Sequence, residues 1–407
     1  MSASTTPRST VASAARAALS KRAGRIRGGD EGPFFQLLNL TAGRDDVIRL
    51  GRGEPDIPTP PHIIAAAKQA MDAGQTGYTH PAGLPALREA IAEKLARDNG
   101  LHYDPTREII VTAGAQEAIA IAMQTLLDPG DEVLLADPAY GAYDCNILLA
   151  GGTPVPVPTV EAENFELRPD AVEARITPHA KLLALVTPNN PTASAIPAET
   201  IEQIAETAMR HNLVVLSDEL YEKVIYDDFR HLSIGSLPGM RDRTILINGF
   251  SKTYSMTGFR VGYMAGPADY IQAALEPRHS LSISAPTPSQ YAALAALTGP
   301  QDHIPAMMAE YTRRRDLMRR TFDELGVTYS LPRGGFYFFA NIGGAHMESL
   351  DFCIKAATEY GLLFFPGSMY AEAAQRYIRI SFLAPEPQLI EALRRFSALY
   401  RACAEGK

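Results

Sequence analysis

Between residues 60 and 300 the chain alternates two textures. Stretches with apolar residues at helical spacing are separated by short, unbroken apolar runs. Residues 60–73 place Ile63, Ile64 and Ala67 on one face, with proline at the start and Gly74 just past the end, which predicts a helix. Residues 85–96 repeat that pattern, and 115–127 and 199–211 read as further helices. The apolar runs are Ile109-Ile110-Val111, Val133-Leu134-Leu135, Leu182-Leu183-Ala184-Leu185-Val186, Leu213-Val214-Val215-Leu216 and Ile245-Leu246-Ile247. No charge interrupts them, as expected for parallel strands buried on both faces. The alternation predicts an α/β fold: a mostly parallel central sheet with helices on both sides.

After residue 300 the texture changes. A long charged helix is expected over residues 303–325, with the basic run Arg313-Arg314-Arg315 as a solvated face. Short strands and two more helices follow. The expected division is an N-terminal arm and part of a small domain (1–59), a large domain (60–300), and a smaller α+β domain completed by 301–407.

Composition narrows the function. Of 407 residues, 46% are hydrophobic and 21% charged, enough for a sizeable core. A net charge of -8 argues against nucleic acid, which demands a basic face. The 3 cysteines, Cys145, Cys353 and Cys403, form no CxxC pair, so neither a zinc site nor a disulfide framework is expected, and a cytoplasmic setting is. No run of 18 apolar residues offers a membrane span. The first 29 residues carry Arg8, Arg16, Lys21, Arg22, Arg25 and Arg27 without any acidic residue. They read as a flexible arm, with an organellar transit peptide as the alternative.

Polar residues collect where the apolar runs end. Thr112-Ala113-Gly114-Ala115-Gln116 follows one, and Thr187-Pro188-Asn189-Asn190-Pro191-Thr192 another. Ser217-Asp218-Glu219-Leu220-Tyr221 and Asn248-Gly249-Phe250-Ser251-Lys252 follow two more. Ligands of open α/β sheets bind beyond the carboxyl ends of the strands, so the four clusters should meet in one cleft. Gly114 precedes a helix whose free N–H groups, at Ala115 and Gln116, suit a phosphate; an ordinary strand–helix turn is the plain alternative. Asp218 at a buried strand end needs a cation, such as a protonated heterocyclic nitrogen, unless it is simply a helix cap. Lys252 lies where burial would lower its pKa enough for imine chemistry. With Tyr140 after a further strand, these parts describe a pocket for pyridoxal 5′-phosphate.

The segment from Gly249 to Gly262, Gly-Phe-Ser-Lys-Thr-Tyr-Ser-Met-Thr-Gly-Phe-Arg-Val-Gly, resembles the lysine signature of the class I/II aminotransferases, the fold-type I enzymes. Every constrained place in that signature is filled. The resemblance extends from about Leu50 to Phe396 and implies a homodimer with shared active sites. It further implies that Lys252 holds the cofactor as a Schiff base and shuttles the proton. Arg260 and Ser251, with the backbone at Gly114, Ala115 and Gln116, would bind its phosphate. Asp218 would pair with the pyridine N–H, Tyr221 and Asn190 with the ring oxygen, and Tyr140 would stack on the ring. Tyr78 resembles the tyrosine that reaches a neighbouring subunit's phosphate. Arg379, in Ile-Arg-Ile-Ser, resembles the arginine that grips the substrate α-carboxylate, and Gly53 a glycine beside the bound substrate.

The family usually reads Asn-Pro-Thr-Gly where this chain has Ala193, a residue that tolerates a positive φ poorly. The expected reaction is transfer of an L-amino acid's α-amino group to a 2-oxo acid, 2-oxoglutarate or pyruvate, by a ping-pong mechanism. Two alternatives stand beside it. One is a lyase of the carbon–sulfur or aminocyclopropane-carboxylate synthase type. The other is a non-enzymatic sensor, which would carry a helix-turn-helix module ahead of the aminotransferase part. In one aspartate-specific subgroup a partner-subunit arginine from the loop near residues 278–284 meets the distal carboxylate, and the resemblance does not place Arg278 in that role. The donor amino acid stays open.

Overall fold

The computed structural model describes residues 32–406. The basic N-terminal stretch, with its two readings, lies outside the described residues.

Seven strands form the central sheet: β1 (Ile109–Thr112), β2 (Glu132–Asp137), β3 (Thr153–Pro158), β4 (Ala180–Val186), β5 (Val214–Asp218), β6 (Thr244–Gly249) and β7 (Gly262–Ala265). Their order across the sheet is β1-β7-β6-β5-β4-β2-β3. All neighbours are parallel except β7, which runs antiparallel to both β1 and β6. The five apolar runs are all strands. Two further strands carry a different texture: β3 reads Thr-Pro-Val-Pro-Val-Pro and β7 reads Gly-Tyr-Met-Ala.

Side chains alternate along the strands, and except at the edge strand β3 both faces are covered. Ile110, Val133, Leu135, Leu182, Ala184, Leu216, Ile245 and Ile247 pack in one cluster against α4 (Ala115–Leu126) and α5 (Ala142–Ala150). The alternate residues turn to the other face. There Ile109, Val111 and Leu246 meet α2 (Pro61–Asp72), α3 (Pro85–Asn99) and α7 (Thr287–Thr298), while Leu134, Leu183, Leu185 and Val215 meet α6 (Ala198–Arg210). Each fully buried Leu or Ile contributes about 1.5–3 kcal/mol. Two-sided burial is why these strands read as unbroken apolar runs.

A separate antiparallel sheet follows in the chain. Strands β8 (Thr328–Tyr329), β9 (Tyr337–Asn341), β10 (Phe365–Pro366) and β11 (Tyr377–Ser381) lie in the order β10-β11-β9-β8. Helices α8 (His303–Leu325), α9 (Ser349–Glu359) and α10 (Glu386–Ala404) surround it. Phe322, Phe338, Phe352 and Phe396 form its core, joined by Leu37, Val47 and Leu50 from the chain's beginning. Leu37 sits on α1 (Pro33–Leu40). Among the described residues, no helix is long and apolar enough to cross a membrane.

One expectation is corrected. Only Arg313 of the basic run is solvated; Arg314 and Arg315 are buried. Successive helix positions are about 100° apart, so three neighbours cannot share one exposed face. Arg314 Nη1 donates to both carboxylate oxygens of Asp56, at 2.8 and 2.9 Å, and Arg315 Nη1 and Nη2 each donate to one oxygen of Asp227 at 2.9 Å. The Arg314 contact ties the 51–56 loop to α8.

Candidate active site

The strand ends of the large sheet and the inner edge of the antiparallel sheet enclose a cavity of about 710 Å³. Gly53, Ala115, Gln116, Tyr140, Asn190, Asp218, Tyr221, Ser251, Lys252, Arg260 and Arg379 all line it.

Chain direction explains the central pair. After β6 the backbone turns through Phe250–Phe259 and returns as β7, so Gly249 pairs with Gly262. Lys252 sits in that turn and points into the cavity, donating to the Gly53 carbonyl. Burial pushes its pKa below the ordinary lysine value, which favours the neutral, nucleophilic amine. Arg260 closes the same turn at φ 52°. Its guanidinium donates to the Thr257 carbonyl at 3.0 Å and the Ala113 carbonyl at 3.4 Å.

The phosphate candidates converge beside it. Gly114 adopts φ 84°, ψ 168° immediately before α4. A Cβ there would lie 2.6 Å from Arg260 Nη2. Gly262 is equally constrained: its Cβ would meet the Ala115 nitrogen at 2.9 Å. The first N–H groups of α4, at Ala115 and Gln116, have no acceptor within the helix. Together with buried Ser251 and Arg260 they form a donor set for a dianion.

Asp218 is nearly buried at the end of β5. Its Oδ2 accepts from Tyr143 Oη at 2.8 Å and its Oδ1 from the Leu220 N–H at 3.2 Å. Burial raises its pKa, with the Tyr143 and Leu220 bonds opposing. Both donors are neutral, so the carboxylate has room and electrostatic need for a cationic ring N–H. The local bond to Leu220 shows that the cap-like reading also holds in part. Tyr140 Oη accepts from Gln116 Nε2 at 2.6 Å.

Arg379, on β11, is buried between the rings of Tyr337 and Tyr370, at 4.3 and 4.8 Å. It donates to Asn190 Oδ1 at 2.8 Å and the Gly51 carbonyl at 2.7 Å, while its Nε has no partner. No protein carboxylate pairs with it among the described residues. A buried guanidinium without a counter-ion suits an incoming carboxylate. Asn190 Oδ1 accepts from Arg379, and Asn190 lines the cavity. The Asn190–Pro191 bond is cis, and Ala193 takes φ 57°. Ala193 thus holds a left-handed backbone without glycine. These donors, the lysine amine with its depressed pKa and the uncompensated carboxylate fit pyridoxal 5′-phosphate.

Tyr78, expected to reach a neighbouring subunit's phosphate, is 79% exposed and does not line this chain's cavity. Arg278, to which no role was assigned, is fully buried, donates to the Val111 carbonyl at 3.1 Å and lies 3.9 Å from Glu117. Sequence reasoning overlooked Tyr143, Tyr337, Tyr370, Phe34, Phe365 and Met369, all of which line the cavity. Tyr143 had a signal, three positions after Tyr140, whose carbonyl accepts from the Tyr143 N–H at 3.0 Å at the entry to α5. The others come from the antiparallel domain and α1, where only tertiary packing assigns them.

Comparison with known proteins agrees with this geometry. The family model "Aminotransferase class I and II" matches residues 45–396. An aspartate aminotransferase of Pyrococcus abyssi is 41% identical over 368 residues, 90% of this chain and 95% of that one. Aromatic-amino-acid aminotransferase 2 of Thermococcus litoralis is 38% identical over the same shares. The structure of Thermus thermophilus aspartate aminotransferase with maleate superposes with a TM-score of 0.88 at 35% identity, covering 94% of this chain and 99% of that one. Strand-end lysine, phosphate turn, buried aspartate and family match all point the same way: the chain belongs to the class I and II aminotransferases, pyridoxal 5′-phosphate enzymes that move amino groups between amino acids and 2-oxo acids.

Proposed function

We propose that Lys252, Asp218 and Tyr221 carry the chemistry of amino-group transfer here, on a donor whose α-carboxylate Arg379 binds. One observation supports this above the others: a single cavity holds a depressed-pKa amine, a buried carboxylate lacking a cation and a buried guanidinium lacking a carboxylate.

Bound pyridoxal 5′-phosphate supplies an electron sink that lets the donor's α-proton leave. Lys252 Nζ would hold the group covalently and, as a free amine in the cavity, would take up and return that proton. Asp218 would keep a proton on the ring nitrogen by its charge. Tyr221 Oη and the Asn190 side chain would hold the ring oxygen, and Tyr140 would pack on the ring. Arg260, Ser251 and the turn at Gly114, Ala115 and Gln116 would hold the phosphate. Gly53 leaves space beside the substrate. Phe34, Phe365, Met369 and Tyr370 make an apolar wall, which favours donors with aromatic or bulky apolar side chains.

The working unit is proposed to be a cytoplasmic homodimer. Tyr78, Leu281 and Ile283 are exposed apolar residues, and Ser282 between the last two bonds Glu117 in the first turn of α4. An apolar surface so near the phosphate turn suits a second subunit whose Tyr78 completes the site. The boundaries 1–59, 60–300 and 301–407 are proposed with it; the shared core of Leu37, Val47 and Leu50 with the antiparallel domain supports them.

Borohydride reduction of the holoenzyme should fix the cofactor to the peptide containing Lys252. Label on another peptide, or full turnover by Lys252→Ala, refutes the assignment. A donor panel with 2-oxoglutarate and pyruvate as acceptors identifies the substrates. Ammonia and pyruvate released without an acceptor would mark a lyase instead.

A further inference from the structure

The turn that carries Asp218 and Tyr221 has a second side. Asp218 and Tyr221 line the cavity; Glu219 and Glu222, alternating with them, do not. Their carboxylates enter a buried polar cluster behind the turn. Glu219 has no exposed surface and accepts from Ser217 Oγ at 2.8 Å, Ser233 Oγ at 2.6 Å, His231 Nε2 at 2.8 Å and Asn99 Nδ2 at 3.3 Å. Glu222 accepts from Asn99 Nδ2 at 2.7 Å and pairs with Lys94 Nζ. Lys94 and Asn99 both sit on α3, so one helix holds both carboxylates.

This cluster does no chemistry in the reaction described above, and it is costly to bury. Desolvating four ionisable groups is repaid only where every one is paired. Glu219, Glu222 and His231 also have the ligand spacing of a metal site. The Lys94 ammonium, bonded to Glu222 and Asn99, already supplies the cation there. We propose that the Glu219–His231 and Glu222–Lys94 pairs are a clamp that positions Asp218 and Tyr221 against the cofactor, making Glu219 and Glu222 positioning residues for amino transfer.

The turn itself shows the coupling. The Glu219 N–H bonds the Ile247 carbonyl on β6 at 2.9 Å, and the Glu222 N–H bonds the Glu219 carbonyl at 3.0 Å. The clamped carboxylates therefore branch from the same hydrogen-bonded turn that carries Asp218 and Tyr221. Charge balance agrees. Burial pulls the His231 pKa down, but Glu219 and Glu222 outweigh it and leave it above the ordinary imidazole value. Burial pushes Glu222 up, and Lys94 and His231 bring it below the ordinary carboxylate value. With His231 protonated, two cations face two anions. Loss of one leaves a net charge beside Asp218, whose own pKa already responds to Glu219.

The inference rests on the reading of Asp218 and Tyr221 as cofactor contacts, so Asp218→Asn is tested alongside. Glu219→Gln keeps the shape and removes the charge; His231→Gln keeps a donor and is the milder variant should Glu219→Gln fail to fold. The holoenzymes are compared by cofactor affinity in equilibrium dialysis, by absorbance titration of the Lys252-bound cofactor, and by kcat and KM separately. For Glu219→Gln, or His231→Gln in its place, kcat should fall about 10- to 100-fold and the absorbance midpoint should shift, as when a partner that orients a functional group is lost. KM for the donor should stay within about threefold, because Arg379 is untouched. A folded Glu219→Gln or His231→Gln enzyme with wild-type affinity, titration and kcat overturns the clamp while Asp218→Asn remains impaired. If Asp218→Asn is silent too, the underlying reading of Asp218 falls and the clamp with it.

Discussion

Adding one methyl at Gly114 tests the phosphate turn. The glycine holds φ 84°, ψ 168°, a region essentially restricted to glycine that costs a side-chain-bearing residue about 1–3 kcal/mol. The new Cβ would also approach Arg260 Nη2 to 2.6 Å and Cζ to 3.1 Å. The arginine's end can retract by a few tenths of an ångström; the backbone angle cannot adjust without turning the first N–H groups of α4. Gly114→Ala must therefore express its strain in one of two places. Kept in the folded turn, the strain lowers the stability of the cofactor-free protein by about 1–3 kcal/mol. Relieved by rotation of the turn, it appears as weaker cofactor binding, about 5- to 150-fold for the same energy. Denaturant melts of the cofactor-free protein measure the first, and equilibrium dialysis with pyridoxal 5′-phosphate the second. The two losses should together reach at least about 1 kcal/mol. If both stay at wild-type values, the turn does not have this conformation and the donor set built on it is wrong.

Three further outcomes are expected. Gly53→Ala would drive its Cβ into Tyr337 Oη and to 2.9 Å from Cζ; donor kcat/KM should fall by about 10- to 100-fold through the Tyr337 ring beneath Arg379, and Tyr337→Phe in the same chain should restore part of it. Ala193→Gly removes left-handed strain of about 1–2 kcal/mol but also a buried methyl worth about 0.8 kcal/mol and some chain stiffness, so melts should move by less than about 1 kcal/mol; a larger loss would mean that the methyl packs more than the strain costs. The third outcome is a pH dependence. Asp218 has a raised pKa in the folded protein, so the native state binds its proton more tightly than the unfolded chain does. Stability of the cofactor-free protein should then fall as pH rises from about 4, the ordinary carboxylate value, through the raised one. A cationic ring nitrogen opposes this, so the thermal shift on adding cofactor should grow across that window. The growth should vanish in Asp218→Asn; its persistence there would assign the effect to another group.

Much of the large domain could be read from the chain because both faces of its sheet are buried, which leaves uninterrupted apolar runs. Strand β3 escaped because Pro154, Pro156 and Pro158 lack N–H donors; the structure puts it at the sheet edge, pairing only with β2. Strand β7 escaped because it is only four residues long and begins on Gly262, the last residue of the lysine signature, and periodicity carries no information about direction. The site divided the same way. Strand-end residues such as Lys252 and Asp218 were visible because a polar cluster after an apolar run is conspicuous. Tyr337 on β9 and Tyr370 in the turn after β10 belong to the antiparallel domain and reach the cavity only through its packing. The burial of Arg314 and Arg315 likewise depends on Asp56 and Asp227, which are distant in the sequence.

The hairpin from β6 to β7 also has a metrical meaning. It carries Lys252 and Arg260, the anchors proposed for the aldehyde and the phosphate, on one short span whose two feet, Gly249 and Gly262, stand opposite each other in the paired strands. Pyridoxal 5′-phosphate carries its aldehyde and its phosphate-bearing arm on adjacent carbons of one rigid ring. The hairpin is thus a gauge for that short spacing, and its length, more than any one side chain in it, is the quantity that an insertion or deletion between residues 250 and 261 would spoil.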